Sequence, residues 1–133
     1  MSLPTQMRVV EMCEPGGPDV LIESKRDLPE VSAEMVLIKV IAAGVNGPDL
    51  VQRRGHYPPP KGASDLLGLE VSGEIVDVGC DQTKWSIGDM VCALTNGGGY
   101  AEYVAIPRAS RNVVKLPKKI SFVAAAALGC RTT

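Results

Sequence analysis

Between Asn46 and Tyr57 the chain reads Asn-Gly-Pro-Asp-Leu-Val-Gln-Arg-Arg-Gly-His-Tyr. One short stretch therefore carries two amides, a carboxylate, two guanidiniums, the single histidine and a phenol. An amide such as Asn46 and a phenol such as Tyr57 can donate hydrogen bonds to a carbonyl oxygen and stabilise charge developing there, with no need for a metal or a strong base. Each residue also has a purely structural role open to it. Asn46 can cap the helix that Pro48 starts. Tyr57 can cover the mouth of the fold. Asp49 suits the positive helix start and stands four residues before Arg53, the spacing of a helical ion pair. His56 reads as a solvated surface residue. Glu70, inside a strand that should be half-buried, reads as one partner of a structural pair.

Something must hold these groups in place, and the pattern around them is that of strands. Gln6–Cys13 and Val20–Lys25 read as an antiparallel hairpin around the turn-rich Glu14–Asp19. Met35–Val45 is the strongest apolar run, and its Val and Ile content favours a buried strand. A short helix is expected from Asn46 to about Arg54, followed by a Pro-rich loop through Asp65. Gly68–Val78 reads as a long strand punctuated by glycines, as at a barrel corner. Ile87–Leu94 and Tyr100–Ile106 read as strands joined by a hairpin turn at Asn96–Gly99. Val113–Leu116 is a last short strand, and Ser121 caps an Ala-rich helix, Phe122–Leu128. The fold class expected is mainly β: a partly open barrel, most strands antiparallel, with a few short helices. Trp85 is expected to anchor packing.

Composition narrows the function. The 133 residues are 45% hydrophobic and 22% charged with a net charge of −1, so there is no basic excess to bind nucleic acid. No stretch of about 18 apolar residues suggests a membrane span. The four cysteines, Cys13, Cys80, Cys92 and Cys130, are widely spaced, which reads as reduced thiols and a cytoplasmic protein. No Gly-x-Gly-x-x-Gly turn joins a strand to a helix, so a dinucleotide-binding (Rossmann) unit is not expected within the chain. The Gly97-Gly98-Gly99 run is followed by a strand and does not read as a phosphate loop.

Three stretches together resemble the GroES-like catalytic domain of the medium-chain dehydrogenase/reductase superfamily: Ala43–Leu50 running on to Arg54–Tyr57, Gly68–Gly79, and Ile87–Val91 followed by Gly98–Val104. The similarity extends from about Met7 to Thr133. The zinc alcohol dehydrogenases of that superfamily carry Cys where Asn46 stands and His where Leu69 stands. A catalytic zinc needs three protein ligands, and an amide and an alkyl chain leave that set incomplete. The spacing Asn46, Asp49, Arg53, Gly55, Tyr57 is similar to the zinc-independent NADPH:quinone oxidoreductases. Pro58, Pro59, Gly62, Ala63 and Ser64 extend the likeness to the p53-inducible subgroup. Ala127-Leu128-Gly129-Cys130 departs from this and looks more like the zinc branch.

The resemblance implies one domain over residues 1–133, ending where a cofactor-binding domain would begin. It implies a parent enzyme that moves hydride from NADPH to quinones or α,β-unsaturated carbonyls, without metal, as a homodimer. Asn46 and Tyr57 would be its catalytic residues, and Asn46, Gly47, Tyr57 and Thr133 would meet the cofactor. Two alternatives stand beside it: another medium-chain reductase, such as an enoyl reductase or an alcohol dehydrogenase-like enzyme, and a non-catalytic binding or interaction module. The 133-residue chain alone is expected to be inactive.

Overall fold

The computed structural model describes residues 2–80 and 84–128. β1 (Gln6–Met12) and β2 (Leu21–Asp27) pair antiparallel across a turn of 3₁₀ helix at Pro18–Val20. β3 (Met35–Ala43), β4 (Glu70–Val78), β5 (Met90–Leu94), β6 (Tyr103–Pro107) and β7 (Val113–Lys115) form a second sheet in the order β6-β3-β4-β5-β7, every pair antiparallel. Helix α1 (Gly47–Arg53) lies between β3 and β4, and α2 (Phe122–Leu128) follows β7. The two sheets are stitched together where β1 meets the segment before β6. Val9 bridges Ala101, the Val10 N–H donates to the Tyr100 carbonyl at 2.9 Å, and the Glu102 N–H donates to the Arg8 carbonyl at 3.1 Å. The outcome is the expected antiparallel, partly open β architecture.

One connection differs from the sequence reading. Asn96–Gly99 does not close a hairpin, because β6 pairs with β3 and two strands separate it from β5. The glycine run instead packs along Leu66–Gly68: the N–H groups of Gly98, Gly99 and Tyr100 donate to the carbonyls of Leu66, Gly68 and Leu67, each at 3.0 Å. All three glycines are buried. Their missing side chains let two backbones approach, and a hairpin would leave no such need. For the same reason Tyr100–Glu102 is spent on β1, and β6 starts only at Tyr103. At the other end of β5, Ser86–Asp89 turns on itself, with the Asp89 N–H on the Ser86 carbonyl at 3.0 Å, so that strand starts at Met90 and not at Ile87.

The core gathers on β3 and its neighbours. Val36 and Ile38 pack with Val71, Ile75, Val91, Val104, Ile106 and Trp85, while Leu37 on the other face packs with Met7, Val9, Leu66 and Tyr103. A strand buried on both faces reads as an unbroken apolar run, which is why this segment stands out in the sequence. Trp85 is buried and its indole N–H donates to the Arg108 carbonyl at 3.2 Å, so it is a core anchor with its polar atom satisfied.

The Pro-rich loop after α1 is tied to the small sheet. Arg26 on β2 donates to Glu11 on β1 and, through Nη1 and Nη2, to both carboxylate oxygens of Asp65 at 2.6 and 3.0 Å. The hydrogen bonds from Arg26 hold the Asp65 carboxyl below its usual range. Asp65 is mostly exposed, so the pair is worth less than about 1 kcal/mol. Asp65→Asn is expected to cost that much at neutral pH. A carboxyl depressed in the folded state stabilises above its unfolded pKa and loses the contribution as acid protonates it. Urea titrations of the two proteins should therefore converge as the pH falls below about 4; a constant gap would show that the ion pair is not the cause.

Candidate functional site

The stretch from Asn46 to Tyr57 folds around a buried carboxylate. Asn46 is extended (φ −125°, ψ 162°) at the N-cap of α1, with Pro in the first turn. Its backbone N–H donates to Asp49 Oδ2 at 3.0 Å, and the Asp49 N–H returns to the Asn46 carbonyl at 3.0 Å. Asp49 then reaches beyond its helix. Its Oδ1 accepts from the Gly68 N–H at 3.3 Å, and its Oδ2 accepts from the Tyr100 hydroxyl at 2.9 Å. Asp49 is only 1% exposed, and three donors compensate its removal from water. Burial, with the carboxylate beside it, pushes the Tyr100 phenol well above its usual pKa and keeps it a donor. The expected pair with Arg53 does not form: Arg53 donates through Nε to the Gly16 carbonyl at 3.1 Å. A buried acid held by three donors gains nothing from a solvent-side guanidinium, and Arg53 instead ties α1 to the β1–β2 turn.

Asn46 closes a capping box with Asp49 at the start of α1, and its side chain also reaches Glu70. Nδ2 donates to Glu70 Oε2 at 3.2 Å. Glu70 is 3% exposed, and its Oε1 has no hydrogen-bond partner among the described residues. The Gly44 N–H donates to the Glu70 carbonyl at 2.9 Å. A Cβ at Gly44 would lie 2.9 Å from the Ala126 carbonyl of α2 and 3.4 Å from both Asn46 Nδ2 and Glu70 Cδ. Gly44, Asn46, Glu70 and the middle of α2 thus converge. α2 is held there by the Ser72 hydroxyl, which donates to the Phe122 carbonyl at 2.5 Å, and its start is capped by Ser121, whose Oγ accepts from the Ala124 N–H at 3.0 Å.

The other expected site residues spread outward. Gly47 is exposed and open space surrounds its missing side chain. Tyr57 is 45% exposed, and its hydroxyl has no hydrogen-bond partner among the described residues. Seven residues of helix separate it from Asn46, about 10 Å along the axis, so the two do not touch. His56 is exposed. Leu69 is half-buried between Gly68 and Glu70. Among the described residues no three His, Cys, Asp or Glu side chains are grouped to hold a metal ion. Thr133, Thr132 and Cys130 lie outside the described residues. An open apolar groove of about 430 Å³ runs beside Val45, Ile41 and Tyr100. A larger cavity of about 570 Å³ opens between the Pro60–Ser64 loop and the Leu94–Gly98 turn.

Residues 32–118 match the alcohol dehydrogenase GroES-like domain family. The chain belongs to that family. This GroES-like domain is 39% identical over 125 residues to the human quinone oxidoreductase, an alignment covering 92% of the chain and 37% of the relative. A quinone oxidoreductase of Pseudomonas syringae pv. tomato superposes with a TM-score of 0.82 at 32% identity, over 95% of this chain and 38% of that one. A mycobacterial protein solved in complex with NADPH superposes with a TM-score of 0.73 at 32% identity, over 87% and 35%. The chain therefore spans a little over a third of the length of such relatives. It corresponds to the GroES-like portion of medium-chain dehydrogenases/reductases, as the sequence motifs implied.

Two residues of the site were not legible as such in the sequence. Tyr100 lies 51 positions from the carboxylate it serves, and Gly68 enters through a backbone N–H that every residue but proline possesses. Glu70 was readable as a half-buried acid awaiting a partner, but nothing local identified that partner as Asn46.

Proposed function

We propose that this GroES-like domain is the substrate-side half of a reductase that transfers hydride from NADPH to quinones or α,β-unsaturated carbonyls. NADPH supplies the hydride. The domain's part is to orient the nicotinamide and stabilise charge on the acceptor oxygen, and its residues fit that task at one end of the cofactor only. Asn46 stands at a helix start with its amide braced on Glu70, Gly47 leaves open space beside it, and Tyr57 has a free hydroxyl on an exposed loop. The observation that carries the reading is Asn46 itself: at the position where zinc members place a thiolate, this chain holds a neutral amide on a buried carboxylate. An amide and the alkyl chain of Leu69 are poor metal ligands, which supports chemistry without zinc.

In this reading Asn46, Gly47 and Tyr57 border the nicotinamide, and Thr133 belongs to the same set. Tyr57 donates to the acceptor oxygen. Among the described residues no Gly-rich turn opens a helix to grip pyrophosphate, so a separate nucleotide-binding domain is required, and a cytoplasmic homodimer is the expected setting. Among the described residues, no helix is long and apolar enough to cross a membrane.

The test compares the 133-residue chain with the same chain fused to the nucleotide-binding domain of a quinone oxidoreductase relative. Hydride transfer needs reacting atoms held about 3–3.5 Å apart. The chain alone is expected to give no steady oxidation of NADPH with a quinone, and the fusion is expected to turn over. In the fusion Tyr57→Phe should lower kcat/KM by about tenfold, the worth of one hydrogen bond. A fusion that binds NADPH yet reduces neither quinones nor enones would overturn the assignment.

A further inference from the structure

The five-stranded sheet ends in two edges of different character. β7 is three residues long and carries Lys115, and shortness and lysine both blunt an edge against further pairing. β6 carries no charge and opens on the larger cavity. The Val40 N–H donates to the Glu102 carbonyl and the Arg108 N–H to the Glu34 carbonyl, each at 2.8 Å. Hydrogen-bonded pairs alternate along an antiparallel ladder, so in this register Val104 and Ile106 direct their main-chain groups at β3. Tyr103 and Ala105 direct theirs to the other side, where they meet no main-chain partner among the described residues. Tyr103 is only 8% exposed, and a shielded main-chain group without a partner costs about as much as a lost hydrogen bond. Pro107 ends the strand: it has no N–H, and its carbonyl accepts from the Ser110 N–H at 3.0 Å.

The cavity of about 570 Å³ runs along this edge. One end lies by Met35 and Pro107, which pair with each other. The other lies by Gly98, where an added Cβ would stand 3.5 Å from Val104 Cγ2. Met7 and Leu66 line the cavity on the sheet face of Tyr103, Val104 and Ile106 on the opposite face. A packed strand fills roughly 160 Å³ per residue, from its rise, its spacing within a sheet and the spacing between sheets. The space therefore takes about three or four residues, the length of the unpaired stretch of β6.

We infer that the β6 edge accepts one further antiparallel strand, which pairs with Tyr103 and Ala105 and comes from polypeptide lying outside this domain in the parent protein. A residue opposite Ala105 exchanges both hydrogen bonds with it, the geometry of strand addition. Because apolar walls meet both faces of the added strand, it is an uninterrupted run rich in Val or Ile, with no proline opposite Ala105. The alignment with the human relative covers 92% of this chain but 37% of that one, so such a parent holds most of its length outside the domain. A strand tethered in the same chain reaches the slot at high effective concentration. The presence of that polypeptide rests on the reductase reading above; the pairing capacity of β6 does not.

The test is amide hydrogen exchange in the 133-residue chain and in the same chain extended by the remainder of the human quinone oxidoreductase. In the chain alone, the Ala105 amide should exchange at least about tenfold faster than those of Val104 and Ile106, which donate to β3. In the extended protein it should slow by about tenfold or more, the worth of one hydrogen bond. The amide of Lys115, on the opposite edge of the sheet, should exchange alike in both. Ala105→Pro removes the outward N–H and no bond to β3. It should leave the urea midpoint of the chain alone nearly unchanged and lower that of the extended protein. Equal exchange of Ala105 in the two proteins, or an Ala105→Pro penalty no larger in the extended one, would overturn the inference. Protection of Ala105 that appears in the chain alone and rises with its concentration would assign the edge to a second copy and overturn it as well. An extended protein that protects Ala105 yet oxidises no NADPH counts against the reductase reading alone.

Discussion

Replacing Asp49 by Ala is expected to destabilise the domain by about 4 kcal/mol, the range for removing one partner of a buried charged network. The residue is 1% exposed and accepts from Asn46, Gly68 and Tyr100, groups that belong to the start of α1, the approach to β4 and the approach to β6. Truncation leaves three donors facing a dry cavity. For a chain of this length the loss corresponds to a fall of about 10–15 °C in Tm. Asp49→Asn keeps the shape but turns an N–H₂ group toward one of the existing donors, so about half the effect is expected. Because the carboxylate is shielded from solvent, salt should change neither result much, unlike the exposed Arg26–Asp65 pair. A loss below about 1 kcal/mol for the Ala variant in urea melts would show that Asp49 is not the hub of the site.

Gly68→Ala is expected to be as damaging, for a steric reason. Gly68 has φ 103°, a conformation L residues avoid, and an added Cβ would lie 2.6 Å from the Tyr100 nitrogen and 2.7 Å from the Gly99 Cα. Backbone strain of about 1–3 kcal/mol adds to a clash with main-chain atoms that no rotamer can relieve. The strand-like contact between Leu66–Gly68 and Gly98–Tyr100 must open, and the Asp49–Gly68 hydrogen bond with it. We expect about 4 kcal/mol from denaturant titration. Amide exchange should also quicken at Gly98, Gly99 and Tyr100, whose N–H groups bond to this segment. Full protection at those amides in the Ala variant would exclude the close approach as the reason for glycine.

Local interactions explain which features were legible in advance. The extent of α2 follows from Ser121 as a cap and the alanines behind it, all within a few residues of one another. The buried character of β3 follows from its unbroken apolar run. The family motifs of Ala43–Tyr57 and Gly68–Gly79 pointed to the GroES-like domain, which the match over residues 32–118 bears out.

The remainder depended on groups far apart in the chain. The Asn96–Gly99 run carries the residues of a hairpin turn, and only the pairing of β6 with β3 decided that it crosses the fold instead. Local spacing offered Asp49 a partner in Arg53, but beside the local Asn46 N–H tertiary packing supplied two donors, the Gly68 N–H and the Tyr100 hydroxyl, in a buried setting, where each is worth more than an exposed ion pair. Tyr57 and Asn46 are close in sequence yet held apart by the rigid rise of α1, while Asn46 and Glu70, 24 positions apart, are in contact. Sequence determines which side chains can donate, accept or cap through bonds set by their own covalent structure. Which donor meets which acceptor is decided by the burial of both, because only in the folded, water-poor interior does an unmatched polar group cost enough to select one arrangement.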